Sequence, residues 1–493
     1  MRKQNPDFPL SFFKSVQESS HFTTMWKRSC SFLPSLKHSQ FTASHFSCTP
    51  VHFEPTKKIC IIGSGPAGFY FAQNLFKKVP DISIDMLEKL PVPYGLVRYG
   101  VAPDHPEVKN VINTFEKVAS NKNFKFHGNV TLGRDVKFSE LRQAYHAVVL
   151  TYGCNEDREL GIPGENLPNV ISARKFVGWY NGLPEDKDLE VDLSSETVVV
   201  LGQGNVAVDV SRILLSPIDL LKVTDITEYS LQALSQSKVK TVYLIGRRGP
   251  LQAAFTIKEL REMTKLPGVQ TLLQKEHFAG TENIIPNLPR ARKRLSELLV
   301  TTASKEQEGS RYFRPTFLHK PVEILGSSES GVVQGVKFEI NDIDHEKGIA
   351  RGTGKYEVNE CGLVLRSIGY KGTSVDSDIP FDSNRGVVVH ENGVYSAGWI
   401  HTGPTGVILS TMSDAYDQSN RLIEDINKKT LNVTNSKPGF SAIENTLNSK
   451  SVVTVNFEGW KKIDKIEVER GAAVGKPREK IVDVAEMLRI GGS

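Results

Sequence analysis

Residues Ile59–Glu88 read ICIIGSGPAGFYFAQNLFKKVPDISIDMLE. Ile59–Ile62 is a short apolar run of β-type residues, Gly63-Ser64-Gly65-Pro66-Ala67-Gly68 fits G-x-G-x-x-G, and Phe69–Lys78 reads as a helix. A second apolar run, Ile82–Leu87, ends on Glu88. Strand, glycine turn, helix and acid-closed strand in this order form the unit that binds a dinucleotide. Gly63 permits the tight turn, Gly65 lets backbone approach a pyrophosphate, and Gly68 lets the helix pack close on the strand. The helix N-terminus faces the phosphates, and Glu88, roughly 20–25 residues on, accepts from ribose hydroxyls.

The second half repeats this unit with one change. Thr197–Leu201 (TVVVL) is an apolar strand, Gly202-Gln203-Gly204-Asn205-Val206-Ala207 fits G-x-G-x-x-A, and Val208–Leu215 is the helix. After a helical insertion, roughly Ile218–Ser237, the return strand Thr241–Ile245 closes on Gly246-Arg247-Arg248 instead of an acid. Two guanidiniums suit a 2′-phosphate, so this unit is expected to take NADP(H) rather than NAD(H). The first unit is then left for the adenosine half of FAD. A third glycine-rich turn, Gly398-Trp399-Ile400-His401-Thr402-Gly403-Pro404-Thr405-Gly406-Val407-Ile408, feeds a helix from about Leu409 to Asn427.

A chain of 493 residues, 39% hydrophobic and 24% charged, holds two or three ordinary domains. No apolar run reaches the roughly 18 residues of a membrane-spanning helix. The net charge of +5 is concentrated before the first strand, where six cations, Arg2 to Lys37, face Asp7, Glu18 and Glu54. The remainder carries only about +2, which gives no support to nucleic-acid binding. Residues 1–55 are rich in Ser, Phe, His and Thr, and Met25–Phe53 contains three bases and no acid. That is the composition of a mitochondrial or plastid targeting presequence, with Met25 a conceivable second start. The cysteines Cys30, Cys48, Cys60, Cys154 and Cys361 form no C-x-x-C, so neither a redox pair nor a metal or iron–sulfur ligand set is present.

Between the units, Lys89–Lys109 (KLPVPYGLVRYGVAPDHPEVK) reads as a long ordered loop rather than a helix, followed by a helix Val111–Ala119 and strands Phe124–Val130 and Ala147–Gly153. Phe255–Leu266 reads as a helix, and Pro289–Leu295 (PRARKRL) is the densest basic run after the N-terminal segment. Further strands are expected around Thr316–Leu325, Val332–Ile340 and Gly362–Arg366. The tail segment Gly475–Lys480 (GKPREK) has no periodicity that assigns it a role.

GSGPAGFY, PVPYGLVRYGVAPDHPEVK, LGQGNVAVDVSRILL, IGRRGPLQAAFTIKELREM, WIHTGPTGVI and GKPREK, in this order from about Lys57 to the C-terminus, resemble the mitochondrial NADPH–adrenodoxin (ferredoxin) reductase family. The resemblance implies an α/β fold of two Rossmann-like three-layer domains. FAD would be held by a discontinuous domain, 56–156 with 366–493, and NADP by 157–365. Positions matching FAD contacts are Ala67, Glu88, Leu96, Leu132, Trp399, Gly406, Val407 and Ile408, beside the motif glycines Gly63 and Gly65 of the same FAD-binding turn. Those matching NADP contacts are Gln203, Gly204, Asn205, Val206, Arg247, Arg248, Glu259 and Gly406. His105 and Asp209 match positions near the flavin that support proton or charge movement. Arg261, Arg290, Lys293 and Arg294 match positions that bind an acidic [2Fe–2S] ferredoxin. The same resemblance implies a monomer on the matrix side of the mitochondrion, peripheral to the inner membrane. Two departures stand out: His401 replaces a basic residue of the family, and Gly386–Trp399 is shorter than in vertebrate relatives. Three alternatives stay open: another flavin-dependent NADPH oxidoreductase, a flavin monooxygenase, and a non-catalytic NADPH sensor. A disulfide reductase would need the missing cysteine pair.

Overall fold

Lys57–Ile62 forms the middle of a five-stranded parallel sheet, with Ile82–Glu88 and Phe124–Gly128 on one side and Ala147–Leu150 and Val394–Ser396 on the other. A strand covered on both faces needs apolar side chains in both directions, and Ile59, Cys60 and Ile61 are fully buried. The chain leaves this strand for one neighbour and later returns on the other side. The order therefore reverses beside it, and a crevice opens at its carboxyl end, where the turn 63–68 lies. Pro66 begins the helix Pro66–Lys78, and Lys77 and Lys78 close it, as the helix dipole favours. Phe69 on its inner face stacks on Phe115 with ring centroids 4.8 Å apart.

The computed structural model describes residues 56–492, apart from 306–307, 328–330 and 345–346. The expected targeting segment, 1–55, lies outside the described residues. The second half repeats the arrangement in a six-stranded parallel sheet. Its order is Val170–Ser172, Leu363–Arg366, Thr197–Leu201, Thr241–Ile245, Arg311–Thr316 and Val269–Thr271. Strand order again reverses beside the glycine strand, Thr197–Leu201. A smaller antiparallel sheet, His319–Gly326, Val333–Asp344 and Ile349–Glu360, stands beyond it.

Several local expectations are corrected. Lys89–Lys109 contains two short helical turns, Leu96–Tyr99 after Gly95 and Pro106–Lys109 begun by proline. The strand expected to reach Val130 stops at Gly128, because Asn129 takes φ +62°. The strand expected to reach Gly153 stops at Leu150, where Thr151 turns to donate its hydroxyl to the carbonyls of Ile62 and Gly63. Ile349–Glu360 is a strand that the sequence pattern conceals, since most of its residues on both faces are exposed.

The tail segment 475–480 acquires a clear structural place. Lys476 Nζ, almost wholly buried, lies 3.1 Å from Glu228 and 2.5 Å from Glu479. Lys480, fully buried, joins Lys109 on Asp225, at 3.1 and 2.7 Å. Arg478 reaches Asp464 and Glu467, and Glu467 also accepts from the buried Arg98. These pairs link the helix Phe457–Ala473 and the loop 89–109 to the helical insertion of the second half.

Candidate functional site

The first glycine turn separates positions the fold requires from positions a ligand requires. Gly63 has φ +101°, and an added Cβ would lie 2.7 Å from the Thr151 carbonyl oxygen. At Gly68 a Cβ would fall 2.3 Å from the Gly63 carbonyl oxygen, so the close helix–strand approach also demands glycine. At Gly65 a Cβ would meet nothing within 4 Å: the missing side chain leaves open space before the helix N-terminus. Glu88, only 9% exposed, ties the turn to the strand end. Its Oε2 accepts from Ser64 N–H (2.9 Å) and Oγ–H (2.7 Å), while Oε1 accepts from Leu90 N–H (3.1 Å) and keeps capacity for another donor.

The third glycine segment closes over this turn. A Cβ on Gly398 would lie 2.7 Å from that of Ala67. Gly398 N–H donates to Asp414 Oδ2 at 2.7 Å, and His401 Nδ1 lies 2.7 Å from Asp414 Oδ1. His401 is thereby tied to the helix Ile408–Asn427, which packs along Pro66–Lys78. Gly406 has φ +86° and admits no Cβ beside Ser410. Leu96 follows Gly95, whose own Cβ would approach Gly65 to 3.2 Å. Around this crevice Leu96, Val407 and Leu409 stay 48%, 56% and 68% exposed, apolar surface that a flat ring system can cover. Trp399 stacks on Tyr370 at 5.7 Å, and its carbonyl accepts from the Cys154 thiol. The Leu132 side chain, by contrast, is buried in the core.

The second turn follows the same logic. Gly202 has φ +126°, and its Cβ would lie 2.1 Å from the Ser367 carbonyl oxygen. Gly204 opens on nothing within 4 Å. Asn205 begins the helix Asn205–Leu215, and its Oδ1 accepts from Thr256 N–H. A cavity of about 900 Å³ is lined by Gln203, Gly204, Asn205, Val206, Arg247 and Arg248, and also by Trp399, Gly406 and Val407. It therefore runs from the arginine turn to the edge of the first crevice. The backbone of the arginine turn is pinned: Arg247 C=O accepts from Asn341 and Arg248 C=O from Leu318. Both arginines are exposed, without an ion-pair partner among the described residues. The Gln203 Nε2 is committed to the carbonyls of Leu244 and Thr316, and its backbone carbonyl accepts from Ala254 N–H.

His105, Asp209 and Glu259 come together around a residue that sequence reasoning missed. Arg212, 3% exposed, donates to Asp104 (2.6 Å), Asp209 (2.7 Å) and Glu259 (3.1 Å). His105 Nε2 sits 2.9 Å from Glu262, with Nδ1 3.4 Å from Arg212. Glu259 faces this cluster and does not line the cavity. One guanidinium cannot neutralise so many carboxylates equally. Burial tends to raise Asp104, but its hydrogen bonds from Arg212 hold it below the usual range. Burial raises Asp209 more than Arg212 lowers it. Burial and the Asp209 charge push Glu259 up to about 7. The cluster spans the two halves, since Asp104 and His105 come from the loop after the first unit. No sequence motif marks it, because its members lie up to 158 positions apart.

The basic run forms the start of the helix Arg290–Ala303. Helical spacing places Arg290, Lys293 and Arg294 on one face. Lys293 reaches back to the Pro286 carbonyl, whereas Arg290 and Arg294 are exposed and have no acidic partner among the described residues. Arg292 turns inward to the Ala253 carbonyl. Cations at a helix N-terminus oppose its dipole by about 0.3–1 kcal/mol each. The helix Ile257–Met263, which carries the exposed Arg261, packs against this one.

An acid-closed and an arginine-closed nucleotide turn meeting at one glycine segment define an oxidoreductase of the two-dinucleotide α/β class. Residues 57–277 match the family model for pyridine nucleotide-disulphide oxidoreductases. The described cysteines Cys60, Cys154 and Cys361 are buried and unpaired. The chain is 50% identical over 466 residues to the mitochondrial NADPH:adrenodoxin oxidoreductase of Homo sapiens, covering 91% of this chain and 94% of that one. To the Arabidopsis thaliana protein of the same name it is 41% identical over 473 residues, covering 90% and 96%. Among solved structures, Mycobacterium tuberculosis FprA in complex with NADPH matches with a TM-score of 0.83 and 38% identity, over 88% of this chain and 99% of that one. The chain belongs to the mitochondrial NADPH:adrenodoxin oxidoreductase family.

Proposed function

We propose that this chain takes hydride from NADPH onto bound FAD and passes the electrons singly to an acidic [2Fe–2S] ferredoxin of the adrenodoxin type. The observation that carries this reading is the single cavity running from Arg247 and Arg248 to Trp399 and Gly406. When bound, FAD supplies the conversion of a two-electron hydride into single electrons, with release of a proton. The chain's own residues bind, orient and shield. We assign FAD to 56–156 with 366–493, where Gly63, Gly65 and Ala67 offer the open turn and Glu88 the ribose acceptor. Leu96, Leu132, Trp399 and Gly406–Ile408 complete that site. We assign NADP to 157–365, with Gly204–Val206 and the Gln203 backbone at the pyrophosphate and Arg247 and Arg248 at the 2′-phosphate. Glu259 supports that site through Arg212.

We assign to His105 and Asp209 the support of proton or charge movement near the flavin, with Glu262 holding the His105 ring and Arg212 holding the Asp209 carboxylate. Arg261, Arg290, Lys293 and Arg294 form a positive docking face that steers an acidic partner. We place the protein on the matrix side as a monomer, peripheral to the inner membrane; among the described residues no helix is long and apolar enough to cross a membrane. Arg290→Glu with Arg294→Glu tests the reading. Ferredoxin-dependent cytochrome c reduction at low salt is expected to fall about 10–1,000-fold through lost steering, while direct dye reduction by NADPH is kept. Equal rates with ferredoxin would refute the docking face.

A further inference from the structure

The chain runs back alongside the arginine turn as soon as it leaves the neighbouring strand, Arg311–Thr316. Gly246 N–H donates to the Thr316 carbonyl (2.8 Å), Leu318 N–H to that of Arg248 (3.1 Å) and His319 N–H to that of Gly246 (3.0 Å). Leu318 adopts φ +62° to make the reversal. Lys320 consequently stands second in the first strand of the antiparallel sheet, and it lines the same cavity as Arg247 and Arg248.

Lys320 stands directly opposite Glu339 in the ladder, with Nζ 3.4 Å from Oε2 and its side chain 54% exposed. An exposed pair of this length holds a flexible lysine weakly, and a phosphate competes for it well. Glu339 is the less mobile partner. It is 17% exposed, and its carboxylate lies across Gly352 on the next strand, where a Cβ would come within 2.0 Å of Oε1. Neighbouring His319 cannot take the same part. Its ring is 7% exposed and held between the Phe317 carbonyl and Glu357.

We infer that Lys320 is a third cation of the 2′-phosphate site, released from Glu339 when a phosphorylated nucleotide binds, and that Glu339 tunes its availability. This rests on the assignment of NADPH to the cavity. The sequence signal is a lone lysine some 70 positions beyond the Arg-Arg pair. Only the backbone pairing of 246–248 with 316–319 brings it there.

Calorimetric titration of the flavin-loaded protein with 2′,5′-ADP and, separately, 5′-AMP tests the inference without turnover. Lys320→Met is expected to weaken 2′,5′-ADP about tenfold, the size of one charge-assisted contact, and to leave 5′-AMP within about twofold. Glu339→Gln is expected to tighten 2′,5′-ADP about two- to fivefold when Lys320 is present and to have no effect in the Lys320→Met background. Unchanged affinities in Lys320→Met, or equal losses for both ligands, would overturn the inference. Arg247→Ala with Arg248→Ala separates the two levels. If that double variant discriminates between the ligands and Lys320→Met does not, only the third cation falls. If neither discriminates, the 2′-phosphate assignment falls with it.

Discussion

Gly204→Ala is expected to weaken NADPH binding about 100-fold while leaving the fold standing. Gly204 has φ −87° and ψ 176°, backbone that any residue adopts, and its added Cβ meets nothing within 4 Å. Alanine in place of glycine at a helix N-cap costs about 0.5–1 kcal/mol, a few degrees of Tm at most in a protein of this size. The new methyl stands in the space before the helix N-terminus, where a pyrophosphate must approach within hydrogen-bonding distance. Losing one or two charge-assisted hydrogen bonds from the helix N-terminus to the pyrophosphate costs about 2.7 kcal/mol, or about 100-fold in affinity. Gly202→Ala, two residues away, supplies the contrast. Its φ of +126° and the Ser367 carbonyl oxygen 2.1 Å from the new Cβ make the penalty structural, about 3 kcal/mol or more from backbone strain plus overpacking. Thermal unfolding followed by flavin absorbance, paired with NADP+ titration, distinguishes the two. The reasoning is refuted if Gly204→Ala binds NADP+ within about threefold of the parent, or if it loses as much stability as Gly202→Ala.

Arg247→Ala with Arg248→Ala should raise KM for NADPH by about 100-fold or more, since each exposed guanidinium contributes about 1.5–3 kcal/mol to a phosphate, while KM for NADH moves less than about threefold. Equal effects on the two nucleotides would contradict the assignment. Asp186→Asn should change how stability depends on pH. Burial pushes the Asp186 carboxyl up to about 6; Arg174, 4.0 Å away, only partly offsets this, and Oδ2 has no hydrogen-bond partner among the described residues. The native state therefore binds more protons than the unfolded chain between about pH 4 and 6, so stability is lost as pH rises through that window. A shift of about 2 units is worth about 3 kcal/mol. The asparagine variant should be more stable than the parent at pH 8, by up to that amount, and no more stable near pH 4. Chemical denaturation at the two pH values reads the difference.

How much of this was legible in the sequence depended on how local each feature is. A glycine turn between a strand and a helix is written in consecutive residues, so both nucleotide units and the segment 398–408 could be read directly. The contrast of Glu88 with Arg247 and Arg248 could be read too, because each follows its own strand. The Arg212 cluster could not, since Asp104, Asp209, Glu259 and Glu262 meet only after the two sheets assemble. The same holds for the tail, where Lys476 and Lys480 look like a solvated polar run yet are buried against Glu228 and Asp225. Ile349–Glu360 escaped notice because its glycines, Gly352 and Gly354, interrupt the pattern and its few large apolar side chains, Ile349, Tyr356 and Val358, are exposed. Within the sites, the family resemblance placed Gln203 and Glu259 at the nucleotide without revealing that the Gln203 amide nitrogen and the Glu259 carboxylate are engaged elsewhere.

The central claim is that one protein joins an NADPH site to an FAD site and empties the electrons into a [2Fe–2S] ferredoxin. An anaerobic visible spectrum of the purified protein, taken before and after one equivalent of NADPH and again after oxidised ferredoxin is added, tests it most directly. The account predicts a flavin spectrum that NADPH bleaches and NADH bleaches far more slowly, followed by return of the flavin bands as the ferredoxin bands fade. A colourless protein, or a reduced flavin that oxygen reoxidises but ferredoxin does not, would contradict it.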